Sequence, residues 1–279
     1  MNSLSIEDAV FSVKEMIEKA IRDRGLAGKN SLIRSQQPIR MLHDAVKSEF
    51  ADYGVSPSKI RPPFGMSQND ELRLAGLFKF KSQDVCILPN HMRRKKEILR
   101  CDGVLNHMQD NFGAEFTEHI LSVNVRSQLS SIAKNFDTLY ERTFAEALNL
   151  HLRCPRMVLG DLYMIPVYEY DDASATRKKV GFKRNKDIQK HIEKYLLSFS
   201  ALNNRRFTSN EEYKYERICL LIVDFSKRVP VIYSTDDELM ADGLLRPLSN
   251  ASIDDMNFNS FCPTLLSVYE RRFGSGMFI

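Results

Sequence analysis

Apolar and polar positions change their period several times along the chain, and each change predicts an element. Ile6, Val10, Val13, Met16, Ile17 and Ile21 share one face at helical spacing, which predicts a helix over residues 5–24 closed by Gly25. Residues 36–52 repeat that spacing and stop at Gly54, leaving GLAGKNS as the loop between two helices. SPSKIRPPFGMSQND, rich in Pro, Ser and Gly, reads as a connector to the main body. From Glu71 the texture becomes β-rich: LRLAGLFKFK and DVCILP are strand-like, EILRCDGVLNHM follows a basic run HMRRKK, and QDNFGAE is a polar turn.

The stretch from Ile120 to Asn149 changes period in mid-course. Leu121, Val123 and Val125 alternate with Ser122, Asn124 and Arg126, the period of a half-buried strand. Phe136, Tyr140, Phe144, Ala147 and His151 then recur at helical spacing. MVLGDLYMIPVYEYD and ERICLLIVDF are continuous apolar runs, as expected for strands covered on both faces, and VPVIYS is a short partner. A further helix is expected from about Lys186 to Leu202, within the basic region 177–206, and the segment beyond Leu245 carries little periodic signal. These elements predict an α/β fold: a central mixed sheet of about five strands flanked by helices. The expected division is an N-terminal helical pair (1–60), a main body (61–245) with a basic insertion at 177–206, and a C-terminal tail (246–279) packed on it.

Composition narrows the class. With 27% charged and 43% apolar residues in 279, the chain is an ordinary globular sequence able to bury a large core. No apolar run reaches the length of about eighteen residues that a membrane span needs. MNSLSIEDAV lacks the basic start and apolar block of a signal peptide, so an intracellular, cytoplasmic protein without a membrane partner is expected. Cys86, Cys101, Cys154, Cys219 and Cys262 form no CxxC pair and are expected to be buried free thiols. A net charge of +4 permits a nucleic-acid partner without arguing for one. P-loop, GxGxxG, HExxH, GxSxG and kinase signatures are all missing, which removes the usual markers of nucleotide hydrolysis, dinucleotide redox chemistry, zinc proteolysis and α/β-hydrolase chemistry.

What remains is Asp102 in RCDGVL, separated by 21 residues from the polar pair Asn124 and Arg126, which share one face of their strand. If Asp102 to Arg126 is a hairpin closed at Asp110 to Gly113, the three side chains surround one volume. The order D-G, then N-x-R, then KNFDTLYER at the head of a helix resembles the PD-(D/E)XK core of type II restriction endonucleases across roughly residues 71–235. In that family a strand supplies an Asp, the next supplies an acidic residue, a spacer and a Lys, and a helix follows. This chain has Asn124 where the family has Asp or Glu, and Arg126 where it has Lys. An amide carries no charge, and an arginine stabilises negative charge without serving as a base.

Some members of that family carry the missing carboxylate on the following helix, where this chain has Glu141, and Lys134 could stand in for the lost lysine. The resemblance therefore implies a Mg²⁺ ion on Asp102 and Glu141, catalytic roles for Asp102, Asn124, Arg126, Glu141 and Lys134, and hydrolysis of double-stranded DNA by a homodimer. Arg93, Arg94, Lys95, Lys178, Lys179, Lys183 and Arg184 are the expected backbone contacts. Asp84 in KSQDVCIL is a rival for the first acid, with 39 residues between it and Asn124. Plainer readings stand beside these: Asp102-Gly103 as a turn, Asn124 and Arg126 as the solvated face of an edge strand, Glu141 as surface charge, the basic runs as solvated loops. A nuclease-like DNA-binding or assembly module without catalysis is the alternative function, and a protein that touches no nucleic acid is the third.

Overall fold

The computed structural model describes residues 3–65 and 71–278; residues 66–70 of the expected connector lie outside them. Helix α1 (Ile6–Arg34) has its N-terminus capped by Ser5, whose hydroxyl accepts from the Asp8 N–H. Gly25 does not close it. It takes a left-handed φ of 62°, and the chain bends there and continues as helix through most of the expected loop. A Cβ at Gly25 would lie 2.9 Å from the Ala175 carbonyl oxygen, so both the bend and the close approach require glycine. Helix α2 (Gln37–Asp52) follows as expected.

The connector is partly structured: β1 (Ile60–Arg61) joins the main sheet. LRLAGLFKFK folds back as a hairpin of β2 (Leu72–Ala75) and β3 (Phe80–Gln83), and β4 (Val85–Ile87) comes next. A second small hairpin, β5 (Glu97–Ile98) with β6 (Gln109–Asp110), is followed by α3 (Ala114–Glu118). The stretch from Ile120 to Asn149 becomes β7 (Leu121–Ser127) and α4 (Ile132–His151). Then come β8 (Val158–Pro166), α5 (Asp172–Thr176), α6 (Ile188–Ala201), β9 (Arg217–Asp224), β10 (Val231–Tyr233) and α7 (Asp236–Ala241). The tail forms α8 (Phe261–Phe273), an element its sequence did not announce.

Among the described residues six strands make one mixed sheet in the order β1-β4-β7-β8-β9-β10. Strands β7, β8 and β9 run parallel through the crossovers α4 and α6, while β4 and β10 flank them antiparallel. Every residue of β8 and β9 is buried, as their continuous apolar runs predicted. Alternation sorts their side chains between two cores. Val123, Val125, Leu162, Met164, Leu221 and Val223 pack with α1, α2 and α8 on one face. Leu159, Tyr163, Ile218, Leu220 and Ile222 pack with α4 and α6 on the other. No helix among the described residues is long and apolar enough to cross a membrane.

Candidate functional site

The polar positions of β7 lie on the face that α4 covers, because Val123 and Val125 take the opposite face. Asn124 and Asp161 are direct partners across the parallel β7–β8 ladder, so their side chains emerge side by side. On the other flank Asp84, immediately before β4, accepts a hydrogen bond from the Val125 N–H at 2.7 Å. Three adjacent strands thus bring Asp84, Asn124 and Asp161 into one row.

Helix α4 supplies the acid above that row, and it is Glu146. Arg126 donates to Glu146 and to the Thr143 hydroxyl (2.6 Å), and its guanidinium is 3.5 Å from Asp161. Lys81 from β3 (2.8 Å) and Arg142 (3.1 Å) also close on Glu146. Tyr215 donates to the Thr143 carbonyl at 2.9 Å and fixes that turn of α4 against the sheet. Helix α2, from the other face, brings His43 into the field of Asp84.

Burial sets the electrostatics. Asp161 is fully buried and its carboxyl is pushed up to about 7, because desolvation outweighs the favourable Arg126 charge and Glu146 and Asp84 add repulsion. Glu71 is likewise raised to about 7 by desolvation and by the Asp84 charge. Glu146 is held below its ordinary value: burial opposes ionisation, but Arg126, Lys81 and Arg142 outweigh it. Burial also opposes the charge on Arg126, yet Asp161, Tyr215, Glu146 and Asp84 keep it firmly cationic. His43 is lowered by desolvation, against which Asp84 and Asp44 act and to which Lys47 and Arg40 add. Both carboxylate oxygens of Asp161, the amide oxygen of Asn124 and Nε2 of His43 are buried with no hydrogen-bond partner among the described residues.

The expected residues are distributed differently. Asn124 and Arg126 stand at the centre of this cluster, in a strand paired on both sides rather than at a solvated edge. The hairpin expected from Asp102 to Arg126 does not form. Asp102 is exposed in the turn between β5 and β6, where the Asn106 N–H bonds the Gly103 carbonyl, and β6 pairs with β5. Strand β7 is covered on both faces, by an apolar core on one and by the polar cluster under α4 on the other, so its antiparallel neighbour must be buried on both faces too; Val85, Cys86 and Ile87 are all buried, whereas Ile98 and Gln109 are exposed. The acid that lies beside Asn124-x-Arg126 is accordingly the rival, Asp84.

Glu141 is exposed and sits about 140° around α4 from Glu146. Lys134 is exposed in the first turn, roughly 18 Å along the helix axis from Glu146. Neither meets the cluster. Arg93, Arg94 and Lys95 are exposed ahead of β5, with the Arg94 guanidinium over the Phe112 ring at 5.0 Å. Lys178, Lys179 and Arg184 are exposed between α5 and α6, while Lys183 is engaged by Glu169 (2.9 Å) and Asp172 (3.6 Å).

Sequence reasoning missed Asp161, Glu146 and Lys81. Signals existed: Asp161 is a lone charge inside the apolar run MVLGDLYMIP, and Glu146 falls in line with Leu139, Thr143 and Leu150 on the inward face of α4. Among the described residues no three His, Cys, Asp or Glu side chains converge to hold a metal ion. No protein-family profile, curated protein or solved structure matches the chain.

Proposed function

We propose that the protein is a Mg²⁺-dependent DNA endonuclease similar to type II restriction enzymes, with its site built on Asp84, Asn124 and Arg126. The observation that carries this reading is the hydrogen bond from the Val125 N–H to Asp84. It sets an acid from one strand against the N-x-R of the next, and β7 then leads through α4 to the parallel β8, the strand, strand, helix, strand order of the resembled family.

The donor set suits a hard divalent cation: the Asp84 carboxylate and the buried, unpartnered amide oxygen of Asn124 are oxygen ligands of the kind Mg²⁺ takes, with waters completing its shell. Such a cation polarises the scissile phosphate and lowers the pKa of an attacking water. Arg126, permanently charged and oriented by Glu146 and Thr143, stabilises negative charge developing on the phosphate. Lys81 adds a second positive charge from the β3 side. The exposed Arg93, Arg94, Lys95, Lys178, Lys179 and Arg184 hold the DNA backbone, and a homodimer acting on both strands of a palindromic target follows from the same reading.

One observation favours the alternative, a nuclease-like module that binds DNA without cutting it. The Arg126 guanidinium already neutralises Glu146 and approaches Asp161, the position where catalysis needs an open cation site. Incubating the full chain with plasmid DNA in Mg²⁺ and in chelator separates the two. Discrete Mg²⁺-dependent fragments, reduced about a hundredfold or more by Asp84→Ala, support the endonuclease. Gel shift without cleavage supports the binding module, and the absence of both cleavage and binding removes DNA from the account.

A further inference from the structure

We propose that Asp161 is the second carboxylate of the cation site, supplied from β8 in place of the acidic side chain that β7 lacks at Asn124. The inference rests on the endonuclease reading and names a ligand that the resemblance does not.

Register is the first argument. Asn124 and Asp161 are paired residues of adjacent parallel strands on the same face, so a carboxylate at Asp161 serves the volume that one at Asn124 would serve. The second argument is hydrogen-bonding capacity. Asp161 is fully buried, and neither of its oxygens has a hydrogen-bond partner among the described residues. A fold retains so costly a group when another role demands it. Beside it, the Asn124 amide oxygen is equally buried and equally unpartnered.

Elimination is the third. Glu146, the buried acid that α4 brings to this cluster, is engaged by Lys81, Arg126 and Arg142, and releasing it would strip Arg126 and Lys81 of their carboxylate. Glu141 faces solvent. Among the described residues the one ion-pair contact of Asp161, Arg126 at 3.5 Å, is the loosest that Arg126 makes, and a metal ion can replace it while Arg126 keeps Glu146 and Thr143. Two aspartates and one amide oxygen give three protein ligands, and a hard cation of this kind fills its remaining positions with water or phosphate oxygens.

Mn²⁺ is the probe, with the metal-free full chain titrated by calorimetry and by electron paramagnetic resonance of the free ion. Asp161→Asn and Asp84→Asn are each expected to weaken Mn²⁺ binding about tenfold or more, while Glu141→Gln binds as the parent chain does. Mn²⁺ affinity kept in Asp161→Asn but lost in Asp84→Asn overturns this assignment and leaves the endonuclease reading standing. Loss in Glu146→Gln with retention in Asp161→Asn moves the carboxylate to α4 and also overturns it. A parent chain that binds no Mn²⁺ overturns both. Should Asp161→Asn fail to fold, Fe²⁺ with ascorbate and peroxide, which cuts backbone near a bound metal, tests the parent chain directly. Cuts around Asp161 as well as Asp84 are expected, and their absence from β8 sinks the proposal.

Discussion

Asp161→Asn should change how stability varies with pH, in a direction that burial dictates. An unfolded aspartate titrates near 3.9, whereas in the fold desolvation pushes Asp161 up to about 7. Between those values the folded chain keeps a proton that the unfolded chain has released, so stability falls as pH rises through the window. Roughly three pH units at 1.36 kcal/mol each give about 4 kcal/mol as a ceiling, which local relaxation reduces. Asparagine has nearly the same shape and cannot ionise, so the variant escapes this loss. Glu146 runs the other way: its lowered value adds stability above the ordinary glutamate range, and that stability is lost on acidification. It is present in both proteins and is lost at the acid end, so it does not reverse the sign of their difference as pH rises. Thermal unfolding of both proteins in chelator, from about pH 4 to about pH 8, is the assay. Variant minus parent Tm should increase with pH by up to roughly 8 °C, since 1 kcal/mol moves a domain of this size by at most about 2 °C. A difference that is flat, or that shrinks as pH rises, refutes the claim that burial keeps Asp161 protonated.

Other predictions test other parts of the molecule. Glu216 is fully buried with His151 (3.3 Å), Arg205 (3.1 Å) and Arg272 (2.8 Å), so Glu216→Ala strands buried guanidinium groups and should cost about 3–5 kcal/mol in a denaturant titration. Burial opposes its ionisation, but these partners hold it down to about 2; its contribution is therefore complete above the ordinary glutamate range and lost as pH falls toward 2. A Cβ at Gly160 would stand 2.7 Å from Leu265 Cδ1 and 2.9 Å from Phe261 Cζ, so Gly160→Ala should destabilise by about 1–3 kcal/mol through overpacking of β8 against α8, and an unchanged denaturation midpoint would contradict that packing. Replacing Arg93, Arg94 and Lys95 together by alanine should flatten the dependence of log K on log salt for DNA binding by about 0.9 per lost phosphate contact. An unaltered slope removes that segment from the interface.

The main sheet was legible because its strands announce themselves. Runs such as MVLGDLYMIP and RICLLIVD bury both faces, and both become long parallel strands joined by helices of the expected spacing. The helix beyond Gly25 and α8 were not legible, for different reasons. Gly25 reads as a stop signal on local grounds, and its actual use, a left-handed bend against the Ala175 carbonyl, depends on a segment 150 residues away in sequence. Helix α8 is short and follows a Ser- and Asn-rich stretch, and its orientation is fixed by Phe261, Cys262, Leu265 and Tyr269 docking on β8 and β9, partners that no local window contains. The expected pairing of Asp102 with Arg126 failed for a related reason. A polar turn at 110–113 invites a hairpin, but β7 is covered on both faces and needs a neighbour buried on both, and β4 offers one.

The candidate site follows the same logic one level up. A motif is read along the chain, while a site is assembled across strands, and the two orders agree only where consecutive strands pair. Asn124 and Arg126 were visible because they lie two residues apart on one strand. Asp84 was visible only as a rival because a hairpin and a helix intervene before its partner strand. Asp161 could not be placed, since its register against Asn124 depends on where α4 delivers the chain to β8, and spacing along the sequence does not encode that. In a parallel ladder the paired position on the next strand lies only about 5 Å away, close enough for the two side chains to share one volume. An asparagine at one position of such a row therefore says little about the charge of the site until the side chain opposite it is known, and in this protein that side chain is an aspartate.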